Sequence, residues 1–324
     1  MEEILRLFPQ VIRNQLEQSL VDRWDKLQEI RIRTEKPIEL IFTNHHEWLP
    51  NLIPTHHDRV HIINQLSEFS LYRLTDELRE GFITIQGGHR VGIAGKVNTE
   101  NGVVKAIQPI SYFNIRIAKQ IKGVAKTLIP YLYDKEYKNT LIIGAPQTGK
   151  TTYIRDLIRL ISSGWNHVPA HKVGVIDERS EIGASIKGVP QHDLGKRTDI
   201  LDACPKAEGM MMLIRSMSPD ILVVDEIGSN DDVTALMEAV HAGVKVICTA
   251  HGSSVKDIRK RPSFLRLFEE NIFERLVILN KKKRGRIKVI YDSSMRPIIR
   301  SGRKEKHEVV WRSTNHHGYN NDWL

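Results

Sequence analysis

Residues 141 to 161, LIIGAPQTGKTTYIRDLIRLI, combine an apolar strand, a glycine-bounded loop and a segment with helical spacing of its apolar residues. Gly144, Gly149, Lys150 and Thr151 fit the pattern GxxxxGK[ST], and the strand before it and the helix after it are the context that this pattern requires. Glycines allow backbone N–H groups to approach phosphates closely, and the N-terminus of the helix favours negative charge. The stretch therefore predicts a phosphate-binding loop within a sheet of parallel strands.

The loop is expected to bind ATP together with Mg²⁺. In such loops the lysine reaches the terminal phosphates, which assigns that role to Lys150, and the hydroxyl of Thr151 binds the metal. The predicted nucleotide-binding residues are Gly144, Ala145, Pro146, Gln147, Thr148, Gly149, Lys150, Thr151 and Thr152.

A second acidic strand is expected in a nucleotide site of this kind, and ILVVDEIG supplies it. The apolar run places Asp225 and Glu226 at the carboxyl end of a strand, where parallel sheets bind ligands. Asp225 is predicted to hold Mg²⁺ through water, and Glu226 to polarise the attacking water. A helix cap explains a bare Asp-Glu pair equally well, so this assignment depends on the phosphate loop upstream.

Two further apolar runs end in polar residues. VKVICTAHG ends in Thr249 and His251, and His251 is predicted to report whether the terminal phosphate is present. VIDERSEIGA places Asp177, Glu178 and Glu181 after another strand, either as a second acidic cluster that orients water and metal or as caps and surface salt bridges.

The change of pattern along the chain predicts two domains. Residues 1–125 mix amphipathic helical stretches with alternating strands, among them 28–42, and helical spacing continues to about Glu80. This indicates a smaller α+β domain, followed by a linker at 126–138 that contains little that must be buried. Residues 139–300 alternate apolar β-branched runs with helical segments, which is typical of an α/β fold with a parallel sheet covered on both faces. Residues 301–324 are polar and predicted to be flexible.

Composition bears on location and partners. The chain has only two cysteines, far apart, and no run of 18 apolar residues, so we expect a cytoplasmic protein that meets a membrane only at its surface. Its start is acidic, unlike a signal peptide. Of the net charge of +9, +8 falls after residue 280, with 12 Lys or Arg against four Asp or Glu, which we interpret as a basic tail.

The motifs in order resemble the ATPases of type II and type IV secretion systems and pilus-retraction motors. The blocks GGHRVGIAG, NIRIAKQIKGVA, GAPQTGKTT, VIDERSEIGA, DACPKAEGMMMLIRSMSPDILVVDEIG and TAHG more closely resemble the sporulation branch of that group, the stage III AA family. That resemblance implies a RecA-like P-loop NTPase fold and a homo-hexameric ring at the inner face of the mother-cell membrane. It further implies that the ring energises a channel between mother cell and forespore, with integral membrane proteins of the same assembly as partners.

The resemblance also assigns residues. Glu226 falls on the catalytic carboxylate, Glu178 and Glu181 on the acidic box, His251 on the histidine box, and Arg116 where related motors place a nucleotide-contacting arginine. Secretion ATPases commonly have glycine where this chain has Asp225, the loop interior APQT is bulkier than usual, and the tail after residue 300 has no counterpart.

Two matters stay open on the sequence. The other arginines that could act on phosphate are Arg33, Arg90, Arg197 and Arg215, and no spacing rule chooses among them and Arg116. The alternative function is a nucleic-acid-dependent RecA-like ATPase, although nucleic acid is an unlikely partner because the basic residues lack interleaved aromatic side chains. A scaffold that binds ATP without meaningful turnover is a third interpretation.

Overall fold

The computed structural model describes residues 1–68, 81–100 and 102–300. Its amino-terminal part contains an antiparallel sheet of order β3-β2-β1-β6-β5-β4. The strands are β1 (Leu27–Arg33), β2 (Ile38–Phe42), β3 (His46–Leu49), β4 (Phe82–Ile85), β5 (His89–Glu100) and β6 (Val103–Arg116). The helices α1 (Glu2–Leu5), α2 (Gln10–Ser19) and α3 (His56–Leu66) share one apolar core with these strands. The predicted α+β domain is confirmed.

The alternation of apolar and charged residues explains these strands. In β1 the side chains of Leu27, Ile30 and Ile32 are buried, whereas Arg31 and Arg33, which alternate with the two isoleucines, are polar and only partly buried. The stretch 28–42, predicted as one strand, forms two, because the chain turns between β1 and β2. The part of the predicted helical spacing from 69 to 80 lies outside the described residues, as does the tail 301–324.

The second sheet has the order β11-β10-β12-β13-β9-β14-β15-β16. The strands from β11 to β14 in this order pair in parallel, and β15 and β16 add to the edge in antiparallel fashion. The strands are β9 (Thr140–Gly144), β10 (Val173–Asp177), β11 (Thr198–Asp202), β12 (Ile221–Val224), β13 (Lys245–His251), β14 (Arg275–Leu279), β15 (Ile287–Asp292) and β16 (Pro297–Arg300). A short ribbon of β7 (Tyr133–Asp134) and β8 (Glu136–Tyr137) precedes them.

Helices cover both faces of this sheet, as the apolar runs predicted. The helices are α4 (Lys150–Ser163), α5 (Lys206–Met217), α6 (Asn230–His241), α7 (Val255–Arg259) and α8 (Pro262–Glu269). Alternate residues of β9 point to opposite faces, so Leu141 and Ile143 join the core under α5 and α6, whereas Ile142 joins the core under α4. Both faces of the central strand are buried, which explains its uninterrupted apolar sequence.

The expectation that 126–138 contains little that must be buried is wrong. Its first residues form 3₁₀ turns, and Leu128, Ile129 and Leu132 are at most 1% exposed in the core that includes α4. The Asp156 carboxylate of α4 accepts a buried hydrogen bond from the Ala125 amide at 2.8 Å. The segment is therefore part of the core beside the second sheet.

The assignment of the positive charge to a flexible tail is also wrong in large part. Eight of the 12 basic residues after position 280 lie at or before Arg300, in β15, in β16 and in the turns that flank β15. They are Lys281, Lys282, Lys283, Arg284, Arg286, Lys288, Arg296 and Arg300.

Candidate functional site

The carboxyl ends of four parallel strands bring the predicted motifs to one edge of the second sheet. The register pairs Gly144 of β9 with His251 of β13, and Val224 of β12 with Cys248 of β13. Asp225, one residue beyond β12, therefore lies level with Thr249. Sheets of this kind bind ligands outside the carboxyl ends of their strands.

The phosphate loop occupies this edge between β9 and α4, and its glycines are required by its shape. An ideal Cβ on Gly144 would lie 2.4 Å from Thr148 Oγ1, which no side chain can accommodate without a rearrangement. Gly149 has a φ of 101°, in the left-handed region, and immediately precedes α4. The loop thus closes tightly on itself and leads into the N-terminus of a 14-residue helix.

The ammonium group of Lys150 lies inside this loop. Lys150 is only 8% exposed, and its Nζ donates to the carbonyl oxygens of Gly144 at 3.0 Å and Ala145 at 3.5 Å. A phosphate oxygen is a stronger acceptor for an ammonium group than a carbonyl oxygen, because it carries negative charge. The arrangement of the lysine, the glycines and the helix N-terminus fits a nucleotide's phosphate chain.

Glu226 lies between Lys150 and His251. One of its carboxylate oxygens is 3.8 Å from Lys150 Nζ, and the other is 3.9 Å from His251 Nδ1. The lysine is 8% exposed and the histidine 45% exposed. The Glu226 amide donates to Thr249 Oγ1 at 3.0 Å, and the Thr249 hydroxyl donates to Asp225 Oδ1 at 3.2 Å. Buried Thr249 thus holds both acidic residues in position through a single side chain.

The donors available for Mg²⁺ are the carboxylate of Asp225, which is 9% exposed, and the hydroxyl of the half-buried Thr151 at the start of α4. In the part of the chain that the structure describes, no group of three or more His, Cys, Asp or Glu side chains could enclose a metal ion. This donor set fits Mg²⁺ in its usual form, which keeps several waters and shares its remaining positions with substrate phosphates.

The acidic stretch divides into a structural residue and residues that face the site. The buried Asp177 carboxylate accepts hydrogen bonds from the amides of Glu181, Ile182 and Gly183, at 2.8 to 2.9 Å. Burial raises the pKa of Asp177 to about 6, although these hydrogen bonds act in the opposite direction. Asp177 therefore organises the loop 177–183, which we call the acidic loop.

Glu178 is the member of this stretch that approaches the predicted site. It forms an ion pair with Lys206 at the start of α5. A small cleft is lined by Glu178 and Lys206 together with Arg179, Asp225 and Glu226. The structure thus brings Glu178 to the Asp225–Glu226 pair, whereas Glu181 contributes its backbone, since its carbonyl oxygen accepts from Arg155 Nη2 at 2.6 Å.

Arg155 and Lys206 were missed by the sequence analysis. Arg155, in α4, also donates from Nε to the Ile182 carbonyl oxygen at 2.9 Å, and burial lowers its pKa to about 10. Nothing in the sequence TYIRDLIR distinguishes this arginine from an exposed helix residue. Only the folding of the acidic loop onto α4 reveals its role.

Of the candidate arginines, Arg90 reaches the acidic loop. Its guanidinium donates to the carbonyl oxygens of Arg179 at 2.8 Å and Ser180 at 3.0 Å, so it links the first sheet to the second domain. Arg116 is its cross-strand neighbour on β6, is exposed, and has no hydrogen-bond or ion-pair partner among the described residues. Its predicted contact with nucleotide stays a prediction.

The remaining arginines have local partners or none. Arg33 pairs with Glu39 at 2.8 Å, and Arg197 donates to the Ala170 carbonyl oxygen. Arg215 is exposed on α5. The structure does not bring these three to the phosphate loop through any contact between described residues.

Within the described ranges, no helix is long and apolar enough to cross a membrane.

Two solved structures share this architecture. The ATPase DotB of Legionella pneumophila superposes with a TM-score of 0.56 at 16% identity, over 84% of this chain and 76% of that one. The pilus retraction motor PilT, solved with bound ADP, superposes with a TM-score of 0.52 at 14% identity, over 81% and 77%. At these identities the likeness shows the fold, and the predicted RecA-like fold of secretion-type ATPases is confirmed.

Sequence comparison identifies the family. The family model for sporulation stage III, protein AA matches residues 1–297. Stage III sporulation protein AA of Bacillus subtilis (strain 168) is 50% identical over 293 residues, which cover 90% of this chain and 95% of that protein. The resemblance inferred from the ordered motifs is therefore confirmed, and the chain belongs to the sporulation stage III, protein AA family.

Proposed function

We propose that the protein is an ATP-hydrolysing motor of the secretion-ATPase type that energises a channel between mother cell and forespore. The observation that carries this proposal is the position of Glu226 between the phosphate-loop lysine and His251, with distances of 3.8 and 3.9 Å. A carboxylate at this place beside a phosphate loop is positioned to take a proton from a water molecule that attacks a terminal phosphate.

Each residue has a separate part in the proposed reaction. The loop 144–152 binds the phosphates of ATP, and Lys150 exchanges its two carbonyl acceptors for phosphate oxygens. Asp225 and Thr151 hold Mg²⁺, which supplies charge neutralisation for phosphoryl transfer when bound. Glu226 polarises water.

His251 lies beside Glu226 at the end of β13. In the proposed mechanism it responds to the terminal phosphate and transmits the change to the loop that follows β13. Arg261 donates to the His251 carbonyl oxygen, which ties this loop to the start of α8. Glu178 is proposed to support the Asp225–Glu226 pair across the cleft that they share.

The proposed motor acts as a homo-hexamer at the cytoplasmic face of the mother-cell membrane, with integral membrane proteins of the same sporulation assembly as partners. Family membership, the B. subtilis relative and the shared fold with DotB and PilT support this proposal. The exposure of Glu226 and His251, 36% and 45%, leaves the reacting side open to a group from a neighbouring subunit. Arg116 is our candidate for an arginine that contacts nucleotide.

The test measures ATP binding and turnover by the purified full-length chain, two site variants and one control variant. Glu226→Gln is expected to bind ATP but to lose nearly all turnover, because an amide cannot accept the proton from water. Lys150→Ala is expected to lose ATP binding. Glu238→Gln, at an exposed position of α6, changes the same charge away from the site and serves as the control.

Each outcome separates the candidate functions. Turnover that depends on Glu226 and is indifferent to single-stranded nucleic acid supports the secretion-type motor. Strong stimulation by single strands that disappears in salt supports the alternative nucleic-acid-dependent ATPase, which the basic turn before β15 favours. If the unaltered protein binds ATP without turnover, the result supports an ATP-dependent scaffold. Normal turnover by Glu226→Gln refutes the mechanism assigned to Glu226.

A further inference from the structure

A basic turn lies against the phosphate loop. Residues 280–286, NKKKRGR, connect β14 to β15 and are called the basic turn here. Because β14 pairs in parallel with β9, with Ile278 opposite Ile143, the basic turn begins at the same edge of the sheet as the phosphate loop. On the sequence alone these charges were assigned to the tail and were not connected with the nucleotide site.

Three hydrogen bonds tie the basic turn to the phosphate loop and to α4. The Gly285 amide donates to the Thr148 carbonyl oxygen at 3.1 Å, and the Tyr153 hydroxyl donates to the Gly285 carbonyl oxygen at 3.0 Å. Arg284 Nη2 donates to Gln147 Oε1 at 2.7 Å. Gln147 lies in the interior of the phosphate loop, so the Arg284 guanidinium is held at the loop itself.

The basic turn is also ordered from within. The Asn280 side-chain oxygen accepts from the amides of Lys282 and Lys283 at 2.9 and 3.1 Å, and the Asn280 amide donates to the Arg286 carbonyl oxygen at 2.8 Å. A turn fixed in this way presents its side chains from a defined backbone. Because the backbone of the turn is already ordered, ligand binding loses less conformational entropy than it would at a flexible segment.

The charge of the basic turn is uncompensated. Five of its seven residues are basic and exposed, and none of the five has an ion-pair partner among the described residues. Like charges that are close in the chain repel one another, so an anion bound at the basic turn would stabilise it. Arg284 has five N–H donors, of which one is used, by Gln147.

We propose that the basic turn is a second phosphate-binding element of the nucleotide site, in which Arg284 exchanges the Gln147 amide for a phosphate oxygen of the bound nucleoside triphosphate. The proposal rests on the nucleotide-binding function proposed above and extends it to a segment outside the phosphate-loop motif. An arginine suits this role because its planar fork binds phosphate oxygens in pairs.

The experiment measures binding rather than turnover, with calorimetric titration of ATP and of inorganic tripolyphosphate into the full-length chain. Arg284→Gln is expected to weaken both ligands about tenfold or more, since a charge-assisted hydrogen bond is lost. Lys288→Gln is the matched control, because it removes the same charge from exposed β15 two residues beyond the turn. It is expected to change both affinities less than twofold.

Other outcomes overturn the inference. Equal affinities of Arg284→Gln and Lys288→Gln show that Arg284 does not bind phosphate. Loss of ATP affinity with unchanged tripolyphosphate affinity assigns Arg284 to the nucleoside instead. Loss of binding to anionic phospholipid vesicles in the triple variant Lys281→Gln, Lys282→Gln, Lys283→Gln, with unchanged affinity for ATP and tripolyphosphate, assigns the basic turn to a membrane surface.

Failure of the proposed function is recognised separately. If the unaltered protein does not bind ATP, or if Lys150→Ala binds ATP as tightly as the unaltered protein, the proposed nucleotide site is refuted. If Lys150→Ala loses ATP and Arg284→Gln does not, only the role of the basic turn is refuted. Unchanged thermal melting of Arg284→Gln shows that a loss of affinity does not come from unfolding.

Discussion

Replacing Asp156 by Ala is expected to destabilise the second domain strongly, because this one carboxylate fastens the segment before β9 to the helix after it. Asp156 is 1% exposed. One oxygen accepts the Ala125 amide at 2.8 Å, and the other accepts Arg159 Nε at 3.0 Å and Nη2 at 2.5 Å.

The magnitude follows from the groups left without partners. The orphaned buried amide of Ala125 costs about 1–3 kcal/mol, and the guanidinium of Arg159, which is 18% exposed, loses a charge-assisted pair. Breaking a buried ion pair by removing one partner costs about 3–5 kcal/mol in total. Asp156→Asn keeps an acceptor for the Ala125 amide and most of the side-chain volume, so it is expected to lose about half of that amount.

Urea denaturation followed by far-UV circular dichroism and tryptophan fluorescence measures the free energy of unfolding of the affected domain. Asp134→Ala is the control, since Asp134 is exposed at the tip of the β7–β8 ribbon, and it is expected to change the free energy of unfolding by less than about 0.5 kcal/mol. A loss below about 1 kcal/mol for Asp156→Ala would show that the segment before β9 is not held through this carboxylate.

Three further predictions concern the site and the contact between the two domains. Gly144→Ala is expected to abolish ATP binding, measured by calorimetry, because its Cβ would lie 2.4 Å from Thr148 Oγ1 and the phosphate loop would have to change its conformation. An affinity within twofold of that of the unaltered protein contradicts this account. Burial, with nearby guanidinium groups, lowers the pKa of His192 from 6.5 to about 3. The folded state therefore prefers the neutral ring, and stability present above pH 6.5 is lost as the pH falls toward 3. The urea midpoint of the unaltered protein should fall as the pH is lowered from about 7 to 5, and the midpoint of His192→Gln should fall less over the same range. If the midpoints of the two proteins change in parallel with pH, the pH dependence does not come from His192. Arg90→Ala is expected to raise amide hydrogen exchange in the acidic loop about tenfold, since two of its carbonyl groups lose their donor, whereas Arg33→Ala should leave that exchange unchanged.

The phosphate loop was predictable because its information is local. Gly144 and Gly149 are required by the path of the backbone, and both can be recognised from spacing alone. The apolar runs likewise predicted the buried strands, since a strand covered on both faces has no polar position to interrupt it. The positions of Asp225, Glu226 and His251 at this edge of the sheet were predictable for the same reason, as each lies at or just beyond the end of such a run.

The features that the sequence left open or that were predicted incorrectly depend on tertiary structure. Asp177 looks like any other acidic residue of its stretch, yet it is the one that the fold buries beneath three amides. The lysines of the basic turn look like a charged tail until RLVIL and IKVIYD pair as β14 and β15 around them. The segment 126–138 contains enough apolar residues for burial, but only the tertiary structure provides the Asp156 oxygen that accepts the amide of Ala125 directly before it.

The acidic loop is the contact through which the first sheet meets the helix of the phosphate loop. Arg155, five residues beyond Lys150 on α4, donates to the carbonyl oxygens of Glu181 and Ile182. Arg90, from the other domain, donates to two carbonyl oxygens of the same loop. The buried Asp177 carboxylate accepts backbone amides of the loop and so holds its conformation. Any displacement of α4 relative to the first sheet must either carry the acidic loop along or break one of these two sets of hydrogen bonds. Because both hydrogen bonds from Arg155 are partly buried whereas one of the two from Arg90 is exposed to solvent, the bonds from Arg90 cost less to break, and relative movement of the domains is expected to occur there.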